Sequence, residues 1–188
     1  MLDRDEARFS QASRQMVETG DVITIRFLDE LRAKKPAGIY WLQASSAALF
    51  GIDDVASYRL PSLLGFLATL TLTYFFTRSL FPSPAAPLHG LLAGLMLASG
   101  PLLQAEALLA KTDSLLLATI LCQQIMLWRI YRDSELKSPA SHWGAFWIAL
   151  SASILLKGPI GPLVLVVTIV GLCVIDRNLS WLKRLCWG

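Results

Sequence analysis

The segment Asp3-Arg4-Asp5-Glu6 places three carboxylates within four residues, enough to hold a divalent cation such as Mg or Mn or to supply a general base. The same residues also have a structural description: Asp3 as N-cap with Glu6 three residues on is a capping box, and acids suit a helix N-terminus. Asp113, in Ala110-Lys111-Thr112-Asp113-Ser114, opens an apolar run. An acid at a membrane boundary points to function, and it equally fits a helix start with Thr112 or Asp113 capping. Glu106 is a weaker candidate that could pair with Lys111. Lys34, Lys35, Lys111 and Lys157 could bind an anion such as a lipid-borne phosphate as point charges, although Lys34 better suits an interfacial anchor. Lys157 has an apolar run on either side and Gly158-Pro159-Ile160-Gly161-Pro162 after it. Its ammonium therefore has few routes to water and calls for a buried anionic partner.

These residues belong to a 188-residue chain that is 54% apolar and 16% charged, with a mean hydropathy of +0.52. A disordered chain is excluded, and a soluble domain would need about a quarter of its residues charged. The expected fold is all-α and polytopic, in lipid. The net charge of +3 hides an asymmetry: residues 1–59 carry 8 basic and 9 acidic side chains, and residues 60–188 carry 9 and 5. No basic cluster resembles a nucleic-acid patch. Cys122, Cys173 and Cys186 have no metal-ligand spacing and read as packing residues.

Five uncharged runs follow Arg59: 60–77, 79–105, 114–128, 138–156 and 158–175. Each is close to the ~20 residues that cross ~30 Å of hydrocarbon, which predicts about five transmembrane helices. Pro82, Pro84 and Pro87 place the start of the second near Leu88. The loops on one side hold 7 Lys or Arg, and the positive-inside rule makes that side cytoplasmic. Residues 1–59 then form an extracytoplasmic loop, and 60–188 the membrane bundle. In the loop, Phe9, Ala12, Met16 and Val17 share one face of a helix that Gly20 stops. Residues 36–50, with Ile39, Tyr40, Trp41 and Leu42 behind the lysines, predict an amphipathic helix in the membrane interface. The candidate residues all fall on this extracytoplasmic side, which suits transfer chemistry on a membrane-borne phosphate.

The segments Asp3-Arg4-Asp5-Glu6-Ala7-Arg8-Phe9, Glu18-Thr19-Gly20-Asp21, Lys35-Pro36 with Ile39-Tyr40-Trp41-Leu42, Arg59-Leu60-Pro61-Ser62, Thr112-Asp113 and Leu156-Lys157-Gly158-Pro159-Ile160-Gly161 together resemble bacterial polytopic glycosyltransferases that use lipid-phosphate sugars. These enzymes are similar to protein O-mannosyltransferases and to the aminoarabinose transferase of lipid A. The resemblance spans nearly the whole chain, and it implies a bacterial inner-membrane enzyme. Such an enzyme passes a sugar from a polyprenyl-phosphate donor to a lipid, glycan or protein acceptor on the periplasmic side, among membrane lipids. It implies catalytic roles for Asp5, Glu6 and Asp113, and donor-phosphate contacts for Lys35, with Lys157 and Lys111 as further candidates. Some members of the family bind a divalent metal, for which Asp3, Asp5 and Glu6 are the available ligands here. Members also carry a spanning helix before the acidic motif and further helices after the last one here, so the chain is expected to be a fragment.

Two other readings use the same residues. In a transporter or channel fragment, Glu106, Asp113 and Lys157 would form a relay through the bundle. In a non-catalytic membrane scaffold, the acidic cluster would only cap a helix.

Overall fold

The computed structural model describes residues 4–32, 35–132, 140–177 and 180–185. Helix α1 (Arg4–Thr19) buries Phe9, Ala12 and Met16 as their spacing predicts, and along the same face it also buries Glu6, Ser10 and Ser13. Gly20, at φ +71°, ends it and donates its N–H to the Met16 carbonyl at 3.0 Å, a left-handed exit that suits glycine. Helix α2 (Gly38–Phe50) buries Ile39, Tyr40, Gln43 and Ala44 on the side of α1 and Ala47 against Tyr58 and Ala110, and leaves Trp41, Leu42, Leu49 and Phe50 exposed. An apolar outer face on a 13-residue helix is what an interfacial helix requires.

Between α1 and α2 the chain forms an antiparallel hairpin, β1 (Arg26–Phe27) and β2 (Glu30–Leu31), with Arg26 opposite Leu31 and Phe27 opposite Glu30. This departs from a purely helical fold. Strands of two residues are too short to leave an alternation in the sequence. The hairpin is fastened to α1 by Gln15, whose side chain accepts the Leu28 N–H at 2.8 Å and donates to the Leu28 carbonyl at 3.2 Å.

All five apolar runs are helical. The first lies in α3 (Val55–Leu80), which starts at an Asp54 cap whose carboxylate accepts the Ala56 N–H at 2.9 Å. The second is broken into α4 (Ala86–Ala98) and α5 (Pro101–Ala107), bent by 74°, where Gly100-Pro101 interrupts the hydrogen-bond ladder. The others are α6 (Asp113–Arg132), α7 (Ala140–Lys157) and α8 (Ile160–Asp176). By length and apolar character α3 and α6 can each cross a membrane, the bent α4–α5 pair makes a third span if it is one, and α8 is a shorter apolar helix. Within α3, the hydroxyls of Thr69, Thr71 and Thr73 return to carbonyls four residues back, so they need no water.

Glycine lets these helices approach backbone to backbone. A Cβ on Gly65 of α3 would lie 2.7 Å from the Leu115 nitrogen of α6, and one on Gly38 of α2 would lie 2.6 Å from the Leu155 carbonyl oxygen of α7. Gly158, at φ +69°, turns α7 directly into α8, and this is the tight hairpin that the Gly-Pro sequence predicts. These contacts bring the start of α6, the end of α7 and the start of α2 together at one end of the bundle. Replacing Gly38 or Gly65 by Ala should therefore destabilise the protein by about 1–3 kcal/mol, the usual range for overpacking. Gly144→Ala, with open space at its Cβ position, should be neutral or slightly stabilising. Thermal unfolding in detergent measures all three, and an unaltered midpoint for Gly38→Ala would refute the close α2–α7 contact.

Candidate active site

The acidic motif divides. Asp5, in the first turn of α1, is mostly exposed and sits 3.6 Å from Arg8. It lines a cleft of about 260 Å³ with Arg8, Phe27, Glu30, Leu31, Arg32 and Lys35. The cleft is thus assembled from α1, the hairpin and the segment leading into α2. Asp5 and Lys35, 30 positions apart in the sequence, share its wall.

Glu6 faces the interior instead. Its carboxylate is fully buried and grips Arg59 of α3 with both oxygens, at 2.6 and 3.1 Å. It also accepts the Ala110 N–H at 3.3 Å. Successive helical residues are about 100° apart, so neighbouring acids meet different surroundings. Asp5 and Glu6 therefore do not form a common ligand set for a metal. Among the described residues no group of three His, Cys, Asp or Glu side chains could hold an ion. Asp3, the third candidate ligand, lies outside the described residues, as does Lys34.

Ala110 lies in the segment between α5 and α6, and side chains from three helices hold that segment. Gln43 of α2 donates to the Ala110 carbonyl at 3.0 Å, and its own amide oxygen accepts the Ser13 hydroxyl at 2.8 Å. Ser62 of α3 donates to the Lys111 carbonyl at 2.8 Å and accepts the Lys111 N–H at 3.2 Å. Every one of these groups is buried or half-buried, where an unpaired polar group would cost about 1–3 kcal/mol. The segment leads straight into Asp113.

Asp113 forms an ion pair with Lys157, at the end of α7. Lys157 thus has an anionic partner as expected, but not a buried one: the Asp113 side chain is 40% exposed and that of Lys157 24%. Glu106 pairs separately with Lys111 at 3.5 Å. Two distinct pairs replace the three-residue relay of the transporter reading. Ser13, Gln43 and Arg32 are what sequence reasoning missed, and Arg59 and Ser62, quoted above only as part of a motif, were given no partner or role there. Gln43 carried a signal: it falls on the buried face of α2, in register with Ile39, Tyr40 and Ala47, where a polar residue needs a partner.

A polytopic helical protein whose acids and lysines gather at one end agrees with a family comparison. The model of the dolichyl-phosphate-mannose-protein mannosyltransferases matches residues 2–187. The chain belongs to that family. Among relatives of this mannosyltransferase-family chain, an undecaprenyl phosphate-alpha-4-amino-4-deoxy-L-arabinose arabinosyl transferase of Pseudomonas fluorescens is 25% identical over 180 residues, covering 96% of this chain and 30% of its own length. The corresponding transferase of Aeromonas salmonicida is 27% identical, covering 96% of this chain and 32% of its own. Crystal structures of ArnT from Cupriavidus metallidurans share the fold. The apo form superposes with a TM-score of 0.86 at 24% identity over 98% of this chain and 34% of ArnT, and the form bound to undecaprenyl phosphate with 0.88 at 23% over 100% and 34%. The chain spans about a third of the length of these relatives. Its apolar helices and this family membership make it an integral membrane protein.

The Glu6 geometry leads to a stability test. Glu6→Gln leaves Arg59 without its counter-charge and should destabilise the protein by about 3 kcal/mol, as when one partner of a buried pair is removed. Arg59→Gln should cost a similar amount and the double variant much less than the sum, because the two changes remove one interaction. Additive losses in a double-mutant cycle would refute the pair.

Proposed function

We propose that this chain carries the donor-side part of a membrane glycosyltransferase, which moves a sugar from a polyprenyl-phosphate-linked donor to a lipid, glycan or protein acceptor on the periplasmic face of the bacterial inner membrane. The observation that carries the proposal is the cleft in which the Asp5 carboxylate and the Lys35 ammonium share one wall. Family membership and the relatives' use of undecaprenyl phosphate, in name and in the bound crystal form, support it.

In the reaction, the bond from the sugar's anomeric carbon to the donor phosphate oxygen breaks, and a bond to an acceptor oxygen forms. The phosphate leaves with the bonding pair as a lipid phosphate, and an acceptor hydroxyl gives up its proton. Lys35 stabilises the charge that develops on the leaving phosphate, as fixed cations do wherever charge grows in a transition state. Asp5 orients the acceptor and takes its proton, a role usually worth 10²–10⁴ in rate. The Asp113–Lys157 pair joins the start of α6 to the end of α7, and these two residues are further candidates for contact with the acceptor and the donor phosphate. Lys111, engaged with Glu106, is a less direct candidate for the donor phosphate.

Asp5→Asn in the full-length protein should lower sugar transfer by about 10²-fold or more with membrane insertion unchanged. Lys35→Gln should act differently, raising the donor KM. A lipid-phosphate donor labelled in its sugar and wild-type membranes as reference make the measurement. Full transfer by the Asp5→Asn enzyme would overturn the assignment.

A further inference from the structure

Arg32 is held in place by uncharged groups alone. Its guanidinium lies over two rings, 5.5 Å from the centroid of Phe9 and 5.8 Å from that of Phe27, and its Nε donates to the Tyr40 hydroxyl at 2.7 Å. Phe9 and Tyr40 belong to the buried core and pack together at 5.5 Å between ring centroids. Burial holds the Tyr40 hydroxyl above its ordinary pKa against the opposing pull of Arg32, so it stays a neutral acceptor. Arg8, Arg14 and Arg59 each end on a carboxylate. Arg32 has no ion-pair partner among the described residues, yet it lines the same cleft as Asp5 and Lys35.

A planar guanidinium stacked on fixed rings has little rotamer freedom left to lose, so its remaining N–H groups are set for a bidentate anion. Lys35 adds a point charge beside it. Asp5 and Glu30 line the same cleft and repel an anion from their own part of the wall, which leaves the Arg32–Lys35 part for it. We propose that Arg32 and Lys35 form a two-cation site for one phosphate ester on this wall, with Phe27 and Tyr40 as positioning residues that aim the guanidinium. The proposal rests on the glycosyltransferase reading for the source of that phosphate, which is either the lipid-linked donor or a phosphate on the acceptor.

The test is equilibrium binding of undecaprenyl phosphate, and of undecaprenol as the phosphate-free control, to the full-length protein in nanodiscs. Arg32→Gln should weaken undecaprenyl phosphate about tenfold and leave undecaprenol unaltered, since a charge-assisted bond to phosphate is lost. Arg32→Lys and Phe27→Leu should fall between, because the first keeps the charge without the fork and the second keeps the fork without its rest; they carry the test if Arg32→Gln does not fold. If Arg32→Gln leaves undecaprenyl phosphate binding unchanged but weakens inhibition of sugar transfer by inorganic phosphate, the site is confirmed and the phosphate is the acceptor's. If neither changes, the proposal falls. A wild-type protein that binds undecaprenol as well as undecaprenyl phosphate would instead refute the glycosyltransferase reading.

Discussion

The buried carboxylate of Glu6 constrains everything around it. A carboxylate taken fully out of water must be matched by charge and by hydrogen bonds, or it will not remain ionised. Arg59 supplies the charge in a two-pronged grip, and the Ala110 N–H supplies a further bond. Such a pair adds little net stability compared with apolar packing. Its effect is to permit one arrangement: α1, α3 and the segment before α6 can meet only where these three groups coincide. Gln43 extends the arrangement to α2 through the carbonyl of the same Ala110. The pieces of chain that carry Asp5, Arg59 and Asp113, and the helix that follows Lys35, are thereby tied together by the Glu6 carboxylate and the backbone of Ala110.

Lipid sets the second constraint. Apolar helices gain nothing from hydrophobic burial against each other in hydrocarbon, so close packing of small residues must hold them. Gly65 lets α6 approach α3, and Gly38 lets α7 approach α2. Both contacts lie at the end of the bundle where Asp113 and Lys157 pair. Tight backbone approach and the charged pair act at the same place, the pair tying the start of α6 to the end of α7 where both side chains still reach solvent. The exposed apolar side of α2, with Trp41, Leu42 and Leu49, is the kind of face that lies well in a membrane interface.

Much of this could be read from the residues. The five apolar runs became helices because periodicity is not needed to recognise a stretch that only lipid can solvate. The face of α1 with Phe9, Ala12 and Met16 followed from spacing, and an anionic partner for Lys157 was called for by the apolar runs on either side of it, although the pair is not buried. The polar network could not be read in this way. Arg59 lies 53 positions from Glu6, and Ala110 lies 104, and no local pattern links residues so far apart. The hairpin was equally silent, being two residues per strand and held by Gln15 rather than by alternation. Arg32 looked like one more surface charge, because its aromatic rests come from α1 and β1, on either side of a turn.

The division of labour within Asp5-Glu6 follows from helix geometry. Two adjacent acids on a helix point about 100° apart, so one can face the cleft while the other enters the core. The buried acid then fixes the exposed one over a lever of a single residue, about 1.5 Å along the axis. The same carboxylate fixes Asp113 through Ala110, three residues away. Short, hydrogen-bonded connections of this kind leave little freedom for Asp5 and Asp113 to move relative to each other. The structure thus separates the two acids: Glu6 is tied to Arg59 and Ala110 in the interior, and Asp5 faces the cleft.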